Sequence, residues 1–374
     1  MKVPFIDLKR VASSISETVR ARWEGILENT EFVGGPSVAQ LEKRLCEDLG
    51  VANTICCANG TDALLVALQA MGVSRGDIVA MPNLTFWATY EAAAQLGAVP
   101  LLLDVDANLQ MDFKGFKAAH RAHGFRFAVV VHLMGWATPR LAELREYCSS
   151  NGIELLEDGA QAYGVRLGDQ SVFKGARAST LSFYPAKVFG GCMDGGAVFT
   201  DDADLADRVR RLCNHGRSAH YGYSDTGWNS RMGGLQAAWL LELHNRMPAI
   251  LDERRATEAA YAERLAHIAD RILVHLPPAG IVGNGYLSVC EVLVSDPDAL
   301  AAELRTLGIG TGRVYPQPLH VQPPAVNALV FGDQVNSTRF CTRVINLPIF
   351  AGMTDEELSY VVSMVEKTLK EAQA

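Results

Sequence analysis

Short, almost wholly apolar runs recur through the first two thirds of the chain, at residues 54–57, 78–81, 100–105, 127–133, 153–157, 181–184 and 197–200. Runs this short, with no polar residue alternating in, suit central strands buried on both faces of a sheet. Between them stand stretches with helical spacing at 62–71, 87–96, 113–122 and 140–149. Ahead of them the opening residues read as extended, Gly34-Gly35-Pro36 breaks the chain, and Val38, Leu41 and Leu45 recur at helix spacing until Gly50. The alternation predicts an α/β fold, a mostly parallel central sheet flanked by helices.

From Met247 the pattern changes to a long helical segment running through Arg254, Tyr261 and Leu265. An apolar run at 287–294, a helix at 297–307, a Pro-rich stretch at 315–324 and a final helix from Asp355 to about Ala372 follow. The expected division is a large unit over residues 1–246 and a connector helix with a smaller α+β unit over 247–374.

Composition narrows the function classes. A net charge of -8, from 34 basic and 42 acidic residues, opposes nonspecific attraction to nucleic acid or an anionic membrane surface. The start lacks a secretory apolar core, and no later run approaches the ~20 apolar residues of a membrane helix, which predicts a cytoplasmic protein. The eight cysteines form no CxxC pair and no zinc-like cluster with the histidines, so reduced thiols and no metal are expected.

In open α/β sheets ligands bind beyond the carboxyl ends of the strands, so the residues just after each apolar run carry the candidate chemistry. Asn59-Gly60-Thr61 lies between a strand and a helix. Free N–H groups and the helix dipole make such a turn an anion site, and an ordinary capped turn is the alternative. Asp158 follows an apolar run and is either an acid at the ligand-binding edge or a solvated loop acid. Lys187 follows Ser182 by five positions and precedes a glycine-rich stretch, 190–196. A lysine forms an imine only when unprotonated, which burial and nearby cations favour, whereas most lysines are surface charges. GxxxxGK[ST] is absent and the lysine precedes the glycines, which excludes a Walker-type ATPase; no GxGxxG turn opens the first strand-to-helix junction, which excludes a dinucleotide-dependent dehydrogenase.

Taken in order, these turns match a family. The chain resembles the DegT/DnrJ/StrS sugar aminotransferases, fold-type I pyridoxal-phosphate enzymes, nearly end to end. The likeness begins at Phe5-Ile6-Asp7-Leu8-Lys9, continues through Gly34-Gly35-Pro36 with Glu42, and takes in the turns at 58–62, 84–87, 157–161 and 182–187. It goes on through Asn214-His215-Gly216 and Gly227-Trp228-Asn229-Ser230-Arg231 to Tyr315-Pro316-Gln317-Pro318-Leu319-His320 and Leu347-Pro348-Ile349-Phe350.

The resemblance implies pyridoxal 5'-phosphate as cofactor, with pyridoxamine 5'-phosphate as its alternate form. It makes Lys187 the Schiff-base lysine and Asp158 the partner of the pyridine nitrogen. Gln161 would meet the ring's phenolic oxygen, Phe86 would stack on the ring with Trp87 as the adjacent alternative, and Gly60, Thr61 and Ser182 would hold the phosphate. Asn229 would reach the phosphate of the neighbouring subunit, which implies a homodimer with shared active sites. His215 would either approach a partner's site or order its own loop, and Arg313, Tyr315 and His320 would contact substrate or pack between units. Met193 and Val314 depart from the family's pattern near the expected sugar site.

The activity so implied is transfer of an amino group from L-glutamate, leaving 2-oxoglutarate, to a nucleotide-linked keto sugar. The turn at 58–64 is similar to that of members aminating carbon 3 of a hexose, with carbon 4 the main rival. Keto-cyclitol amination and a non-catalytic regulatory role are the alternatives. A sugar-dehydrating branch lacks the lysine, and Lys187 argues against it.

Overall fold

The computed structural model describes residues 1–371, so the expected end of the last helix at Ala372 lies outside the described residues. Strands β1 (Asn53–Cys57), β2 (Ile78–Pro82), β3 (Val99–Leu103), β4 (Phe127–Val131), β5 (Glu154–Asp158), β6 (Ala178–Ser182) and β7 (Gly196–Thr200) follow the expected runs to within a few residues. The largest offset is β6, which starts at Ala178 because Ser179 and Thr180 are buried in it; two hydroxylated residues hid the strand's first half from an apolar-run criterion.

These strands form one eight-stranded sheet in the order β1-β7-β6-β5-β4-β2-β3, completed at the β3 edge by a strand from far along the chain, β10 (Leu329–Phe331). Every neighbouring pair is parallel except those of β7, which runs antiparallel to both β1 and β6, so seven strands share one direction. Their side chains alternate between the faces. Val79, Met81, Phe127 and Val129 pack with helices α3 (Gly60–Met71) and α4 (Trp87–Gln95), whereas Ala80, Ala128 and Val130 pack with α5 (Phe113–His123) and α6 (Leu141–Ser150). A sheet covered on both faces needs apolar residues at every strand position, which is why the runs show no polar alternation.

The opening of the chain is not extended. Leu8–Asn29 form a 22-residue helix, α1, whose start is capped by the Asp7 carboxylate accepting from the Lys9 and Arg10 N–H groups. Its buried contacts, Ile15, Val19 and Ile26, are so few that the surrounding polar residues mask the helical period. Helix α2 (Pro36–Leu49) buries the expected Val38, Leu41 and Leu45. Three further helices escaped the sequence reading, two in this part of the chain, α7 (Ala203–Cys213) and α8 (Gly234–His244), and one near its end over Val335–Arg343.

Helix α9 (Met247–Leu265) leads into a second core, where Tyr261, Leu265, Ile345 and Val361 pack around a three-stranded antiparallel sheet of β8 (Ile272–Val274), β9 (Ser288–Val292) and β11 (Val344–Leu347). Helices α10 (Pro297–Thr306), α11 (Val335–Arg343) and α12 (Asp355–Glu371) complete the chain's later part. Val3 bridges to Ile309 in this second core, while β10 joins the first sheet, so segments from both ends of the chain cross between the two cores. All eight cysteines are free thiols. Among the described residues no helix is long and apolar enough to cross a membrane.

Candidate active site

Because β1, β5 and β6 run the same way, their carboxyl ends meet at one edge of the sheet. Gly196, at the start of the reversed strand, pairs with Cys57 on one side and Ser182 on the other, and Asp158 pairs with Thr180. The turns singled out in the sequence are therefore neighbours in space.

At the first turn, the Asn59 side chain accepts from the Asp62 N–H at 2.8 Å and caps α3. A cap satisfies only part of a helix start, and the remaining first-turn N–H groups are donors that an anion can take up. Gly60 lies against Ser182: a β-carbon there would stand 2.7 Å from the Ser182 Cβ and 3.0 Å from its hydroxyl. Only glycine lets the helix start come this close to the serine hydroxyl, which brings first-turn N–H groups and a hydroxyl together as an anion requires.

Asp158 ends β5 and is 3% exposed. One carboxylate oxygen accepts from the Thr89 hydroxyl at 2.9 Å and the other from the Ala160 N–H at 3.0 Å. Burial lifts the carboxyl above its ordinary range, against the pull of those two donors and of the Lys187 charge. Behind it, Glu157 is wholly buried and takes hydrogen bonds from Arg145 and from His132 Nε2; these hold its carboxyl below the usual value although burial opposes them. His132 Nδ1 is buried without a partner.

Lys187 is half-buried on the loop after β6, its backbone N–H donating to Tyr184 at 2.8 Å. The glycine-rich stretch beyond it is gripped by α8. The Gln236 amide accepts from the Cys192 and Met193 N–H groups and donates to the Met193 carbonyl, and the Trp239 indole donates to the Gly190 carbonyl. Met193 itself is exposed.

The other expected residues divide. Gln161 joins the site: its carbonyl oxygen accepts from the Met134 N–H at 2.6 Å and its amide donates to the Tyr315 hydroxyl at 2.5 Å. Phe86 is 58% exposed, whereas Trp87 is stacked on Tyr90 at 4.5 Å, so Phe86 is the ring left open. His320 bonds through Nδ1 and its backbone to Asn83. The Arg313 guanidinium is taken up by Asp298 and by the Val344 and Cys341 carbonyls, an arrangement of packing. His215 and Asn229 lie on the surface, with Asn229 accepting from Arg231.

Comparison with known proteins decides what this arrangement belongs to. The profile of the DegT/DnrJ/EryC1/StrS aminotransferase family matches residues 13–366. The chain belongs to that family. Members share the fold-type I architecture of a large mixed-sheet unit and a smaller C-terminal α+β unit, and the protein is a pyridoxal-phosphate-dependent aminotransferase. Among its relatives, a UDP-N-acetyl-3-dehydro-alpha-D-glucosamine 3-aminotransferase of Acidithiobacillus ferrooxidans is 30% identical over 373 residues, covering 98% of each chain. A UDP-2-acetamido-2-deoxy-3-oxo-D-glucuronate aminotransferase of Pseudomonas aeruginosa is 32% identical over 357 residues, covering 93% of this chain and 95% of the relative. Two crystal structures superpose closely. A family aminotransferase from Brucella abortus does so with a TM-score of 0.92, 31% identity and coverage of 97% and 98%. Bacillus subtilis NtdA with bound pyridoxamine phosphate does so with a TM-score of 0.91, 27% identity and coverage of 99% of this chain and 85% of the other.

Three residues at the aminotransferase site escaped the sequence reading: Thr89, Asn284 and Tyr286. Thr89 sits one helical turn after Thr85, and their hydroxyls are 2.9 Å apart. Two threonines at i and i+4 opening a helix just past a strand end were the available signal. Asn284 and Tyr286 come from the chain's later part, in an irregular loop where no pattern marks them.

Proposed function

We propose that this chain transfers the amino group of L-glutamate to carbon 3 of a nucleotide-linked keto hexose, in two alternating half-reactions, in the cytoplasm. The observation that carries the reading is the Asp158 carboxylate, buried at the sheet edge with two neutral donors and within electrostatic reach of the Lys187 amine. A buried carboxylate so placed has capacity for one further donor, the N–H of a protonated pyridine. The close approach of the α3 start to the Ser182 hydroxyl suits a phosphate, and the open Phe86 ring suits a flat heteroaromatic. Pyridoxal phosphate therefore fits the residues present. When bound, it supplies an aldehyde to an amine and a cationic ring that draws electrons from the adjacent carbon.

Each residue then has one task. Lys187 would bond the cofactor and, as a free amine, would take the proton from the donor's α-carbon and return it. Asp158 keeps the ring nitrogen protonated, Gln161 meets the ring's oxygen, and Gly60, Thr61 and Ser182 hold the phosphate. Asn229 completes the site of a partner subunit. The acceptor rests on the two curated relatives, both named for 3-keto or 3-dehydro UDP-sugars, and on the turn at 58–64; the donor rests on the family likeness.

The test is direct. Purified protein is expected to be yellow, to lose its colour with glutamate, and then to aminate a 3-keto UDP-hexose in preference to its 4-keto isomer, with the product read by mass spectrometry and NMR. Lys187→Ala is expected to abolish both the borohydride-reducible absorbance and turnover. Bleaching by glutamate with no amine formed on either sugar would overturn the acceptor and redirect attention to a keto-cyclitol. Turnover retained in Lys187→Ala would overturn the site.

A further inference from the structure

The Lys187 ammonium nitrogen lies over the face of the Tyr286 ring, 5.2 Å from its centroid, within the range in which a cation is attracted by an aromatic quadrupole. The backbone that carries that ring is held from three directions. Arg254 is almost fully buried, and its guanidinium donates to the Gly285 carbonyl at 3.0 Å and the Tyr286 carbonyl at 2.9 Å. The wholly buried Asn284 side chain accepts from the Tyr286 N–H at 2.9 Å and donates to the Gln161 and Tyr163 carbonyls. Gly135, at φ +83°, closes the third side: a β-carbon there would fall 2.0 Å from the Asn284 oxygen and 2.8 Å from the Tyr286 Cβ. Tyr286 also interacts electrostatically with Tyr315, whose hydroxyl takes the Gln161 hydrogen bond.

We propose that the Tyr286 ring is the positioning group for the Lys187 cation that forms each time the amine collects the donor's α-proton. The inference rests on Lys187 being the cofactor-bonding lysine. In that step the C–H bond breaks, its electron pair stays with the donor carbon and is drawn toward the cofactor ring, and the proton joins the Lys187 nitrogen, which then carries one positive charge. An aromatic face below the nitrogen stabilises the charged amine over the neutral one and fixes its direction. Asp158 is the negative group acting on the same cation, so ring and carboxylate together set where it rests.

Replacing Tyr286 by phenylalanine and by phenylalanines of increasing ring fluorination weakens the quadrupole while nearly preserving shape. Two readouts of opposite sign are expected. In the cofactor-free chain at neutral pH, acylation of Lys187 by a small amine-reactive reagent, located by peptide mass mapping, speeds up by about fivefold across the series, as the ring's hold on the cation weakens. In the cofactor-loaded chain, bleaching by glutamate slows along the same series. A structural role for Tyr286 would change melting temperatures without a graded, opposite pair of rates, and flat rates across the fluorinated series overturn the proposal. Borohydride trapping of the loaded wild type keeps the two questions apart: label on a lysine other than Lys187 sinks the underlying reading, while label on Lys187 with flat rates sinks only the role of Tyr286.

Discussion

Glu258 shows what burial does to a single carboxyl beside this site. It lies in α9, accepts from the Trp136 indole at 3.2 Å, and is pushed up to about 7 by burial, against hydrogen bonding from Trp136 and the charges of Arg254 and Arg255. An acid whose folded value lies above its unfolded one keeps its proton in the folded chain after the unfolded chain has lost it. Its contribution therefore favours folding in acid and declines as pH rises from about 4.5 through about 7. Glu258→Gln keeps an acceptor for the indole and removes the titration. Denaturant unfolding of both proteins across this window should show the variant gaining on wild type as pH rises, by at most about 3 kcal/mol. A constant difference across the window would mean that Glu258 does not hold its proton in the fold. The same scale explains what could be read in the sequence. Asp158 and Lys187 stand at strand ends that apolar runs reveal, so position and chemistry coincide in the chain. Thr89 and Tyr286 act through hydrogen bonding and ring placement, and a threonine or tyrosine of that kind looks like any other until the fold supplies its neighbour.

At the scale of elements, the junction of β1 with α3 shapes the proposed phosphate site. The helix can start beside Ser182 only because Gly60 has no side chain, and the 2.7 Å separation leaves no room for a methyl group. Gly60→Ala must push the helix start away from the serine, so spectroscopic titration should show cofactor affinity reduced by at least roughly tenfold, the loss of one or two charge-assisted hydrogen bonds. The cofactor-free chain should still fold, since α3 is otherwise well buried along Ala63, Leu64, Leu65 and Leu68. Unchanged affinity would remove Gly60 from the phosphate site. Element by element, the sheet was legible wherever both faces of a strand are apolar, as in β2 and β4. It was not legible at β10, a three-residue strand beyond the Pro-rich stretch at 315–324, because pairing with β3 along its backbone creates that strand. Helix α1 was hidden for the converse reason: three buried side chains are too sparse a stripe to stand out from its polar residues.

For the molecule as a whole, the surface carries large aromatic and aliphatic side chains in open view, among them Phe32, Val33, Tyr221, Tyr223 and Trp228. We propose that a second copy of the chain covers such side chains in a homodimer. Asn229 stands next to Trp228 on this surface, while its neighbour Ser230 turns inward to accept from the Ala58 N–H at 3.1 Å. That geometry suits a chain that anchors its own phosphate turn through Ser230 and offers Asn229 to a second copy. Subunit mixing tests the idea. Lys187→Ala dimers lack the reacting amine, and Asn229→Ala dimers lack the proposed contact, so each parent is impaired at both of its sites. In a mixed dimer with shared sites, one site combines Lys187 of one chain with Asn229 of the other and is fully native, while its twin lacks both. Unfolding and refolding an equal mixture should then restore about a quarter of the native sites, with cofactor affinity at those sites equal to wild type. Were Asn229 to serve its own chain, no mixed dimer would contain a native site, and mixing would recover nothing above the average of the parents.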